Sequence, residues 1–194
     1  MDSPRPDGSG FVALDGEIVW QGRRVAMERR RFRDPTGTVF DREFMVHPGA
    51  VGVIAVDEVG VVTLVRQYRG PMGRTVLEMP AGTCDVEGEP AETTARRELA
   101  EEVGLVAEQL ELLAPLPVSP GVSNQVTTVY LATGLSQCDT DREGPEELAM
   151  TIEHVAVDDV IEMAARGELI DAPTLAAVGL ARRVLELRRA SGER

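Results

Sequence analysis

Apolar and polar positions along this chain repeat in short blocks whose period changes with position. From Phe11 to His47 they alternate over brief runs, the two-residue period of strands with one solvated face. These runs predict strands over 17–20, 23–32 and 38–46, the last entered through the turn signal Asp34-Pro35-Thr36-Gly37. From Ala50 the blocks become β-branched and nearly continuous. Runs over 51–56 and 61–67 flank Asp57-Glu58-Val59-Gly60, a hairpin signature, and 75–79 is a further short strand. The period then lengthens. Residues 90–103 predict a helix, with Pro90 near its first turn and Gly104 as its stop. Strand-like runs follow over 110–117 and 125–133. A polar loop is expected over 138–147, a strand over 151–157, a short helix over 158–166 and a longer amphipathic helix over 173–189. Residues 1–10, rich in Pro, Gly and Asp, read as a disordered tail. Internal repeats and low-complexity segments are absent.

Composition adds limits. The 194 residues suit one large domain, or one domain with a small appendage. Aromatics make up only 4% of the chain, so the core has to be aliphatic. Cys84 and Cys138 lack metal-ligand spacing and read as two free thiols in a reducing compartment. No apolar run approaches a membrane span, and the first ten residues hold no signal-peptide core. Together these features predict a cytoplasmic protein with no membrane partner.

Charge narrows the function classes. Twenty basic residues face 33 acidic ones, for a net charge of −13, and every basic residue is Arg. Generic nucleic-acid binding needs a basic face and is excluded, as is a polybasic membrane surface. Without Lys there can be no lysine Schiff base and no Walker A lysine. Any anion site must be built from Arg, backbone N–H groups and metal ions. The arginines are unevenly placed: positions 23, 24, 29, 30, 31, 33 and 42 carry seven, against three acids (Glu28, Asp34, Asp41) in the same stretch. Two readings stand side by side, a solvated strand face paired with the acidic body and an arm that borders an anionic ligand.

The predicted helix carries the chemistry. Glu101 and Glu102 lie three and four residues after Glu98, so all three carboxylates share one face and repel one another. Arg97 offsets part of this charge. A divalent cation is the natural remaining compensator, since carboxylates are hard oxygen ligands suited to Mg²⁺ or Mn²⁺. A solvated acidic face is the competing reading of the glutamates taken alone.

The surrounding residues change that balance. Gly82, Glu89, Arg97, Glu98, Leu99, Glu101, Glu102, Gly104 and Leu105 resemble the Nudix box, Gly-x5-Glu-x7-Arg-Glu-U-x-Glu-Glu-x-Gly-U with U aliphatic. The one departure is a sixth residue between Gly82 and Glu89, in the loop before the helix. Met79-Pro80-Ala81-Gly82, Arg66-Gln67-Tyr68-Arg69, His47-Pro48-Gly49, Ser119-Pro120-Gly121 and Gly167-Glu168-Leu169-Ile170 resemble the ADP-ribose pyrophosphatase branch of that family.

The resemblance implies an α/β Nudix fold, an α/β/α sandwich around a mixed sheet, over residues 48–190, with a small β arm over 11–47. It implies a homodimer in which the arm crosses to the partner. The implied activity is metal-dependent hydrolysis of a nucleoside diphosphate sugar at its pyrophosphate, with ADP-ribose giving AMP and ribose 5-phosphate. GDP-mannose, NADH or another dinucleotide are alternative substrates, and a nucleotide sensor without turnover is the competitor from another class. By the same resemblance Glu98 and Glu102 are the principal Mg²⁺ (or Mn²⁺) ligands. Glu101 assists, the Ala81 carbonyl completes the shell, Arg97 orients the glutamates, and Glu89 fixes the loop–helix junction. Glu146 and Glu147, before the strand over 151–157, are the candidates for general base or extra ligand. Arg42 and Arg69 are the candidates for phosphate, with ordinary ion pairing as the other reading, and Glu43 for a base or sugar. Asn124 and Gln125 stand where family members often carry acids. Where family members often stack the adenine on an aromatic of the arm, Gly22-Arg23-Arg24-Val25 has none; nearby Trp20 is the candidate, with an Arg guanidinium as the alternative.

Overall fold

The computed structural model describes residues 8–192, so residues 1–7 of the tail expected over 1–10 lie outside the described residues. The chain divides into two compact units. One comprises residues up to Pro48 together with Ser119–Gln125, and the other comprises Gly49–Val118 and Val126 onward.

The first unit is a three-stranded antiparallel sheet of β1 (Val12–Gln21), β2 (Ala26–Arg33) and β3 (Val39–Val46). Strand β2 starts at Ala26, later than the expected 23, because the Gly22 N–H donates to the Val25 carbonyl and closes a turn there. At the other hairpin Asp34 Oδ1 accepts from the Thr36 and Thr38 N–H groups, at 2.8 and 2.9 Å. The register sets Arg29 opposite both Glu17 and Glu43. Ion pairs Arg29–Glu43, Arg29–Glu17 and Arg31–Asp15 result, and Glu28, a buried residue of the central strand, pairs with Arg30. Arg29, Arg30 and Arg31 thus find acids in their own sheet, where pairing with the acidic body was one of the two expectations. Segment Ser119–Gln125 joins this unit through main-chain contacts. The Met45 N–H donates to Val122 O, and the His47 N–H to Asn124 Oδ1 at 2.8 Å.

The second unit contains β4 (Ala50–Val56), β5 (Val61–Arg69), β6 (Arg74–Glu78), β7 (Ala81–Thr83), α1 (Ala91–Val103), β8 (Leu105–Pro117) and β9 (Val126–Gln137). It continues with α2 (Gly144–Leu148), β10 (Thr151–Ala156), α3 (Val157–Ala165) and α4 (Ala172–Ser191). The sheet runs in the order β10-β5-β4-β9-β8, with β6 paired to β5 and β7 to β4. Only the β4–β9 pairing is parallel, so the sheet is mixed.

Side-chain alternation makes the sheet two-faced. Val51, Val53 and Ala55 of β4, with Tyr130 and Ala132 of β9, pack with Ala95, Leu99 and Val103 of α1. The intervening Ile54, Val56, Val129 and Leu131 pack with Val160 of α3 and Ala177, Val178 and Ala181 of α4. Both faces are covered by helices, which is the expected α/β/α sandwich, and buried strands then read as continuous apolar runs. Helix α4 is capped by Asp171, whose carboxylate accepts from both the N–H and the hydroxyl of Thr174, while Thr174 Oγ1 accepts from the Met79 N–H at 2.9 Å.

Helix α1 begins after Pro90 and ends at Gly104, which adopts φ 66°, as the sequence predicts. Strands β8 and β9 are longer than expected: β8 already starts at Leu105, with Leu105 and Ala107 buried in the α1-side core, and β9 continues to Gln137 to pair with it. The expected loop over 138–147 instead contains α2. This single turn, with Pro145 in its first positions and none of its residues buried, is too short to display an amphipathic period. Both cysteines are free, as expected. No helix among the described residues is long and apolar enough to cross a membrane.

Leu99 is fully buried between α1 and the sheet. Leu99→Ala is expected to cost about 2–5 kcal/mol of folding stability, read from chemical denaturation midpoints. A loss below about 1 kcal/mol would show that α1 does not depend on this contact.

Candidate functional site

The site is assembled from β7, α1 and α2, all in the second unit. Strand β7 follows Pro80, whose carbonyl accepts from the Val53 N–H, so the strand is tied to β4 at its entry. Gly82 lies under the Glu98 side chain. A Cβ at Gly82 would stand 2.0 Å from the Glu98 carboxyl carbon, so only Gly leaves room for that carboxylate. The sequence marks this glycine as part of a motif, and the reason for it is this through-space approach.

Glu102 is 2% exposed, and its Oε2 accepts from the Ala81 N–H at 2.9 Å. Ala81 therefore meets the cluster through its N–H. Burial pushes the Glu102 carboxyl up to about 8. The Ala81 bond and the Arg69 charge oppose the shift, and the negative charges of Glu98 and Glu147 add to it. Glu98 is raised too, first by burial, with Arg97 opposing and the Glu101 and Glu147 charges contributing. Arg97 holds the rest of the cluster. One of its terminal nitrogens donates to Glu98 at 2.9 Å and Glu101 at 3.0 Å, and the other to Glu89 at 3.2 Å. Glu89 also accepts from the Thr94 hydroxyl at 2.7 Å, which ties the loop to the first turn of α1.

The two acids of α2 differ. Glu147 stands close enough that its charge bears on both Glu98 and Glu102, and its own Oε2 accepts from the Glu143 N–H at 2.9 Å. Glu146 is exposed, and its charge is not among those that act most on Glu98 and Glu102. Arg69 faces the cluster electrostatically, but its Nε and one terminal nitrogen are occupied by the carboxylate of Glu78, a buried residue of β6. The register sets Arg69 opposite Arg74 and Glu78 opposite Val65, so the ion pair runs lengthwise along the β5–β6 ladder, a contact the sequence alone does not display.

Arg42, Glu43 and Trp20 belong to the first unit. Arg42 donates to the Asp41 carbonyl at 2.7 Å and lies 4.5 Å above the Phe40 ring. Glu43 accepts both bonds of Arg29, and Trp20 is 55% exposed with its ring over Gly22. Asn124, one of the amides in place of acids, supports the His47 backbone.

Among the described residues no three acidic, His or Cys side chains enclose a common point closely enough to hold a metal. The cause is visible: Glu98 and Glu101 each give an oxygen to Arg97. The donor set nonetheless fits a divalent cation. Its oxygens are hard, and Glu102 is buried beside two like charges with only a neutral N–H as partner.

The chain is similar to known proteins in sequence and in fold. The NUDIX domain profile matches residues 46–178. An ADP-ribose pyrophosphatase of Mycobacterium tuberculosis is 38% identical over 87% of this chain and 81% of its own length. An ADP-ribose pyrophosphatase of Bacillus subtilis is 35% identical over 84% and 87%. A solved structure described as an ADP compounds hydrolase superposes with a TM-score of 0.79 at 23% identity, covering 92% of this chain and 95% of that one, and shares the fold.

The raised Glu102 pKa sets a pH dependence. Without a cation, the folded state keeps a proton on Glu102 between its ordinary value of 4.5 and about 8, where the unfolded chain has released it. This contribution to stability is complete below 4.5 and is lost as pH rises through 8. In chelator, the melting temperature is expected to fall more steeply from pH 5 to pH 8.5 in the wild type than in Glu102→Gln. Equal slopes would remove the buried, uncompensated carboxylate.

Proposed function

The chain belongs to the Nudix hydrolase family, and from that premise we propose that it hydrolyses ADP-ribose at the pyrophosphate, giving AMP and ribose 5-phosphate. The observation that carries this reading is the buried Glu102 carboxylate beside Glu98 and Glu147, in a chain whose relatives are named ADP-ribose pyrophosphatases.

Nudix hydrolases use divalent metal ions, and Mg²⁺ is the ion proposed here, with Mn²⁺ as a substitute. Glu98 and Glu102 would hold it, with Glu101 assisting. A cation bound there supplies neutralisation of phosphate charge and a lowered pKa for its bound water. The remaining work belongs to side chains. Arg97 keeps Glu98 and Glu101 on one face of α1 and anchors them to Glu89. Glu147 is the proposed general base, because its charge acts on both carboxylates while that of Glu146 is not among those that act most. Arg69 supplies positive potential while gripped by Glu78. Arg42, Glu43 and Trp20 are proposed to contact substrate from the arm over 11–47, with the hydrolase domain over 48–190. A homodimer and a cytoplasmic location complete the proposal.

The test is product chromatography with Mg²⁺ and a panel of ADP-ribose, GDP-mannose and NADH. ADP-ribose is expected to turn over fastest, to AMP. Glu147→Gln is expected to lower kcat by about 10²–10⁴-fold, with Glu146→Gln within about twofold of wild type. Tight binding of any of the three without turnover would replace the enzyme by a sensor. Equal losses in the two variants would reject Glu147 as the base.

A further inference from the structure

Helix α1 has to dispose of its last carbonyls, which have no partner within the helix. Gly104 N–H takes those of Leu99 and Ala100. The segment leaving β9 takes those of Glu101 and Glu102, and that of the capping Gly104 as well. Cys138 N–H donates to Gly104 O at 2.8 Å, Asp141 N–H to Glu101 O at 3.1 Å, and Arg142 Nε to Glu102 O at 2.7 Å. Residues 138–142 thus run along the end of the helix that carries the carboxylates, and the Arg142 charge suits a helix C-terminus.

The same guanidinium reaches a second element. Its NH1 donates to the Met150 carbonyl at 3.1 Å, and the Met150 N–H donates to the Glu147 carbonyl at 3.1 Å. Met150 is buried, while no residue of α2 is. A turn without buried side chains has little packing of its own to hold it, so its place depends on its tethers. We propose that Arg142 is a positioning residue that bridges the end of α1 to the end of α2 and so fixes Glu147 beside Glu98 and Glu102. This rests on the reading of Glu147 given above. A guanidinium donates from separate nitrogens of one rigid plane, here Nε and NH1, whereas the donors of Lys radiate from a single nitrogen that would have to reach both carbonyls from one point.

The test compares Arg142→Met, Arg142→Lys, Glu147→Gln and the double variant Arg142→Met with Glu147→Gln. It measures kcat and KM for ADP-ribose at saturating Mg²⁺, and amide hydrogen exchange without substrate. Arg142→Met is expected to lower kcat about 10- to 100-fold, the scale of an ångström-sized misplacement, with KM within about threefold. Arg142→Lys, which keeps the charge, is expected not to restore kcat, and it carries the same test should the Met variant not fold. The double variant is expected to be no slower than Glu147→Gln alone. Exchange is expected to rise over 143–150 and to stay unchanged over 95–103. Additive losses in the double variant, or unchanged exchange over 143–150, would overturn the positioning role alone. Wild-type kcat in Glu147→Gln would overturn the assignment of Glu147 and this role with it.

Discussion

Burial of the Glu102 carboxylate against the Ala81 N–H is the constraint on which the rest of the second unit turns. A charged group in that position is expensive unless something positive joins it, and Arg69, whose charge acts on it, is gripped by Glu78. The helix bearing Glu102 is fixed on its other side by Leu99 and Val103 in an apolar layer, so it cannot roll to expose the acid. The carboxylate stays buried, and the deficit of positive charge is a property of the fold.

The neighbouring features follow from keeping this arrangement rigid. Gly82 has no side chain because Glu98 fills the space a Cβ would take. Arg97 serves three acids, two from its own helix and one from the preceding loop, so the loop geometry and the glutamate geometry are one network. The α1 face of the sheet is therefore the functional face. The opposite face is closed by α3 and α4, and Thr174 of α4 receives the N–H of Met79 just before β7.

Much of this was legible in sequence, because its causes are local. The spacing of Glu98, Glu101 and Glu102 on a helix, Pro90 before it and Gly104 after it follow from helical geometry. What could not be read depends on contacts between segments far apart in the chain. Arg69 has the chemistry of a phosphate ligand, but once β5 and β6 pair its fork closes on Glu78, further along the ladder. Glu146 and Glu147 are equivalent as letters, and only the fold sets one of them near the cluster. Arg142 carries no sequence signal, since both its acceptors are backbone carbonyls. The arm was read as a surplus of Arg because its acids on β1 lie before the Arg-rich stretch, and the sheet register then pairs them.

A crystal soaked in Mn²⁺ and measured at the manganese absorption edge tests the buried-carboxylate site most directly. An anomalous peak bounded by the Glu98 and Glu102 carboxylates, with Arg97 still on Glu89, is the expected result. A peak elsewhere, or none at millimolar Mn²⁺ with Glu102 still on the Ala81 N–H, would contradict it.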